Sequence, residues 1–124
     1  MARRLLPIAI TTAALAGLSV ATARADARDR DRALLAAETA RFGPGTRGRV
    51  AAYYAATQPD ATLTWRAADP GWLDPTVTVE LTVTTAARTE RHTFEVTLAD
   101  RAVAPADAAT ADLIARIATW AGEK

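Results

Sequence analysis

The chain has 124 residues, with 15 basic and 14 acidic side chains, one histidine and no cysteine. Without a thiol, disulfides, thiolate metal sites and thiol redox chemistry are excluded, and stability must come from packing. The hydrophobic fraction of 50% overstates the core because alanine supplies most of it. Arginine outnumbers lysine fourteen to one and asparagine is absent, which reads as the coding bias of a GC-rich bacterial genome and leaves no N-glycosylation acceptor.

Met1–Arg4 is short and basic, and Leu5–Ala23 runs 19 residues without a charge. Ala21-Thr22-Ala23-Arg24-Ala25 then places small residues where a signal peptidase cuts, with Ala23 and Ala25 as the cleavage-type positions. Residues 1–25 are therefore expected to be a cleavable export signal, and the protein to work in the periplasm or outside the cell. The competing reading keeps the segment as a membrane anchor, since a span needs roughly 20 apolar residues. Pro7, Thr11, Thr12, Gly17, Ser19 and Thr22 weaken that reading, whereas Arg24, Arg28, Arg30 and Arg32 support it by opposing translocation. After cleavage the domain holds 12 basic and 14 acidic residues, so the basic stripe of a nucleic-acid binder is not expected.

Residues 26–124 form one small domain, long enough to bury roughly 60–70% of its unfolded surface. Asp26–Arg32 alternates acids and arginines and reads as a charged spacer or helix start, with Asp29 and Arg32 spaced to pair on a helix. A helix is predicted from about Asp29 to Phe42, with Leu34, Leu35 and Phe42 on its apolar side and Gly43-Pro44 as its stop. A second helix is predicted over Arg47–Thr57, capped by Thr46. Val50, Tyr53 and Tyr54 make its stripe, although the two adjacent tyrosines are not expected to face inward together.

The apolar period then shifts to two. Ala61–Ala67 reads as a strand, and Asp69-Pro70-Gly71 and Asp74-Pro75 read as turns around Trp72-Leu73. Thr76–Thr85 places Val77, Val79, Leu81 and Val83 on one face against a polar face of Thr78, Glu80, Thr82 and Thr84. Thr89–Leu98 repeats the design, with His92, Phe94, Val96 and Leu98 inward. Because one set is odd-numbered and the other even-numbered, a hairpin through Thr85–Arg88 must pair Val79 with Phe94, Leu81 with His92 and Thr82 with Arg91. A final helix is predicted over Ala106–Ala121, with Asp107 in its first turn and Leu113, Ile114, Ile117, Trp120 and Ala121 in one stripe. The expected fold is α+β: N-terminal helices, an antiparallel sheet of about three strands, and the C-terminal amphipathic helix packed on the apolar sheet face.

The chemistry is sparse. Gly43-Pro44-Gly45-Thr46-Arg47-Gly48 spells a dinucleotide fingerprint, but it follows a helix where that motif needs a strand. Arg47 and Arg49 beside free backbone N–H groups could hold an anion such as a lipid headgroup, with solvated loop arginines as the ordinary alternative. His92 is expected to be a hydrogen-bonded structural histidine; its catalytic reading is a small hydrolase-like enzyme using Glu90, on the same strand face, as the orienting acid. One histidine and no cysteine make a metal site unexpected. Asp69, Asp74 and Glu80 read as turn and surface acids. Trp72 is either a core plug or an exposed binding anchor. The leading expectation is an exported, non-catalytic domain that binds another envelope protein through Trp72 and a sheet edge, with no cofactor and no membrane contact after cleavage.

Overall fold

A computed structural model describes residues 27–68 and 75–123. The predicted signal with Ala23 and Ala25, together with Asp69, Trp72 and Asp74, lies outside them. Among the described residues, three helices and a four-stranded antiparallel sheet make an α+β fold. Helix α1 covers 27–39. A 3₁₀ turn at Gly45–Gly48 leads to α2 (Val50–Thr57), and then come β1 (Thr62–Ala67), β2 (Thr76–Thr84), β3 (Thr89–Thr97) and β4 (Val103–Pro105). Helix α3 (Ala108–Gly122) closes the chain, and the strands lie in the order β1-β2-β3-β4.

The β2–β3 register is the one required by the two-faced pattern: Val79 opposes Phe94, Leu81 opposes His92 and Thr82 opposes Arg91. The Thr85 N–H donates to the Arg88 carbonyl at 2.9 Å and closes the hairpin. One sheet face, carrying Val77, Val79, Leu81, Val83, Phe94 and Val96, is buried under the helices; the threonine-rich face is wet. From α3 it receives Leu113, Ile117 and Ala121, with Ile114 and Trp120 half-buried, which is the stripe read from the sequence.

Several expectations fail for identifiable reasons. The sheet has a fourth strand, Val103–Pro105, which pairs with Phe94–Val96. At three residues ending in proline it carries no readable alternation, and the predicted helix start overran it. Helix α3 begins instead at Ala108, because Asp107 caps it by accepting from the Thr110 N–H at 2.8 Å. In α1 the buried side is Ala33 and Ala37, four apart, while Leu35 is 59% exposed. Small side chains let the helix approach its neighbours closely, an advantage invisible to a search for large apolar residues. The helix ends before Phe42, which stacks on Phe94 with ring centroids 6.0 Å apart.

Tyr53 and Tyr54 are both buried, against the expectation that they would not face inward together. Helix α2 is wedged in, so two adjacent directions are covered: Tyr53 meets Trp120 of α3 edge-on at 5.6 Å, and Tyr54 meets Tyr53 at 5.2 Å. The helix is also shorter than predicted, with Arg49 rather than Thr46 at the cap position and no side-chain cap bond. The glycine motif explains this start. A Cβ on Gly48 would stand 2.6 Å from the backbone of Gly43, and Gly45 has a φ of 62°. Its glycines close a tight loop rather than cradle a phosphate.

Candidate functional site

A polar cluster lies at the hairpin end of the core, where α2 and α3 meet β3. Strand alternation directs Glu90 and His92 to the helix side of the sheet. Helix α3 is fixed over them by Thr110, whose Oγ1 accepts from the Thr93 N–H at 2.7 Å. Helix α2 brings Tyr54, whose ring is buried among apolar neighbours. Three side chains from two elements thus share one enclosed corner.

Their polar atoms are poorly matched by the protein. His92 is only 3% exposed, and neither ring nitrogen has a hydrogen-bond partner. The hydrogen-bonded histidine expected from the sequence finds no side-chain partner: Leu81 lies opposite it on β2, and no side-chain donor or acceptor meets either ring nitrogen. Burial holds the imidazole below its ordinary pKa; Glu90 opposes this, Arg116 adds to it, and Asp107 and the Ala109 carbonyl favour the proton weakly. The Tyr54 hydroxyl, also unpartnered, is pushed up to about 12, first by burial and then by the nearby Glu90 charge. Glu90 is held through Oε2 by Arg88 at 3.4 Å, while its Oε1 is enclosed and unpartnered. A shallow cleft of about 560 Å³ leads to this corner, lined by Arg88, Glu90, Arg91, His92, Asp112 and Arg116.

What the arrangement can do chemically is limited by geometry. A neutral imidazole offers one donor and one acceptor, and a tyrosine with a raised pKa keeps its proton. Glu90 does not hydrogen-bond to His92, so the imidazole is not oriented as a general base would be. No serine, threonine or cysteine lines the cleft to act as a nucleophile. The set is suited to holding small hydrogen-bonding molecules, water first among them. Among the described residues, no three His, Cys, Asp or Glu side chains group as a metal site.

The sequence-nominated arginines sit elsewhere. Arg47 closes the C-terminus of α3: Nη1 donates to the Glu123 carbonyl at 2.6 Å and Nη2 to the Trp120 carbonyl at 3.2 Å. Its guanidinium also lies 4.4 Å above the Trp120 ring. Cations are favoured at a helix C-terminus, so this is a structural use of Arg47. Arg49 is half-buried with an enclosed, unpartnered Nε. Glu80 stands opposite Arg66 on the wet face. Tyr54 was missed as a member of the cluster because nothing local links α2 to the hairpin. Compared with models of known protein families, with curated proteins and with solved structures, the chain has no match.

Proposed function

We propose that this chain is an exported, non-catalytic domain that binds another envelope or extracellular protein by strand addition along the outer edge of β1. The observation that carries the reading is the contrast between the two sheet edges. The β4 edge is blunted, three residues long and ending in Pro105, in the manner of edges that avoid pairing. The β1 edge spans six residues without proline, and among the described residues nothing pairs with its outer side. The Ala68 N–H donates to Thr78 O, so in β1 the even-numbered residues bond to β2 and the N–H groups of Leu63, Trp65 and Ala67 point outward. Those three are the donors that an added strand would use. Trp72 follows β1 closely in sequence and is assigned as an anchor residue for that partner.

Export rests on the N-terminal pattern of residues 1–25. No helix of the described residues is long and apolar enough to cross a membrane. The test is a cross-linked capture from cells expressing the full chain with a C-terminal tag, read by mass spectrometry. The expected result is an N-terminal peptide beginning near Asp26 and one dominant envelope partner. Ala67→Pro removes an outward N–H without touching the β2 ladder, so it should abolish capture while the domain still melts cooperatively. Trp72→Ala should weaken capture in the same way. An intact N-terminus with only bulk membrane proteins captured would replace this reading with the tethered-anchor one.

A further inference from the structure

A second cleft, sharing no lining residue with the one at the polar corner, collects three arginines and no acid. It is about 420 Å³ and lies between α1, the segment after it and the β3–β4 turn. Arg32, Arg41 and Arg101 line it together with Leu35, Phe42 and Val103. The apolar part has depth: Phe42 stacks on the core residue Phe94, and Val103 belongs to β4. Leu35, at 59% exposure, is the one large hydrophobic residue left strongly exposed among those described.

The charges are arranged unequally. Arg32 is engaged, with Nη1 3.7 Å from Asp29 and Nη2 donating to the Leu98 carbonyl at 3.3 Å. Arg41 and Arg101 make no ion pair among the described residues. Asp100 is the nearest acid in sequence to Arg101, and its Oδ1 already accepts from the Ala102 N–H at 3.0 Å. Arg101 itself takes a φ of 60°, left-handed backbone that a non-glycine residue adopts only when its surroundings require it. Its N–H donates to the Thr97 carbonyl at 2.8 Å, which fixes that turn at the lip of the cleft.

We propose that this cleft binds a single-chain anionic amphiphile, a free fatty carboxylate, with the carboxylate between Arg41 and Arg101 and the chain along Leu35, Phe42 and Val103. A carboxylate suits paired guanidinium donors, and the absence of a lining acid removes the repulsion such a head would otherwise meet. The volume falls in the range of small-molecule sites, and an apolar wall with a few polar groups at one end is the usual form of such a site. The site is independent of the β1 edge, so the failure of either assignment leaves the other standing.

The probe is dodecanoate, kept below its micellar concentration and titrated calorimetrically into the protein purified as the exporting cell leaves it. Saturable one-site binding is expected, with dodecanol binding at least about tenfold more weakly because it lacks the charge. Arg41→Gln and Arg101→Gly should each weaken dodecanoate by about fivefold to tenfold. Glycine fits the left-handed position, so Arg101→Gly removes the cation without adding strain. Leu35→Gln touches no buried contact and should weaken binding severalfold. The proposal is overturned if the three variants bind dodecanoate as the wild type does, or if dodecanol matches it. Binding confined to vesicles of anionic phospholipid, with none to the free fatty acid, would also overturn it and make the surface a membrane contact.

Discussion

His92 carries an imidazole whose two nitrogens are enclosed and unpartnered, and that has a measurable consequence. Burial lowers its folded-state pKa below the ordinary 6.5, so as pH falls the unfolded chain takes up this proton before the folded one. The His92 contribution is therefore fully present above about pH 6.5 and is lost as the pH drops through the lowered value. Thermal melts between about pH 7.5 and 5 should show the midpoint falling, and His92→Leu should flatten that fall. Equal slopes in the two proteins would mean that the corner titrates through other groups. Thr110 offers a sharper case. It is fully buried and its Oγ1 is the acceptor for the Thr93 N–H. Thr110→Val keeps the shape and orphans that donor, at an expected cost of about 1–3 kcal/mol in a urea titration.

Among the elements, the edge strands differ most from what patterning reveals. Alternation identified β1, β2 and β3 and fixed the hairpin register, because a one-residue slip would have put Thr78 and Glu80 in the core. It says nothing about which strand lies at an edge, since edge and centre share one period. β4 escaped altogether: three residues cannot show a period, and Pro105 reads as a helix start. The two edges make opposite predictions for proline. Ala67→Pro should leave most of the stability and remove partner capture. Arg66→Pro deletes a donor that faces β2 and should unfold the domain, so circular dichroism of the two variants checks the β1 bonding phase directly.

For the molecule as a whole, no cysteine ties a small core together, so each large buried side chain carries a sizeable share of stability. Leu81 is fully buried opposite His92, beneath the helices. Leu81→Ala should cost about 2–5 kcal/mol, a large part of the 5–15 kcal/mol typical of such a domain. A midpoint shift near zero would show that the corner collapses around the missing side chain.

The sequence by itself determined the α+β class, the β2–β3 register and the buried stripe of α3. Each follows from a period or a cap that acts within a dozen residues, where local geometry dictates which side chains share a face. The tertiary structure alone decided that Tyr54 joins Glu90 and His92, that Arg47 closes α3, and that Arg32, Arg41 and Arg101 meet around one cleft. Those meetings depend on how a loop of glycines and a three-residue strand turn the chain back on itself. Contacts between residues so far apart in the chain are set by packing of whole elements, and no local pattern encodes them.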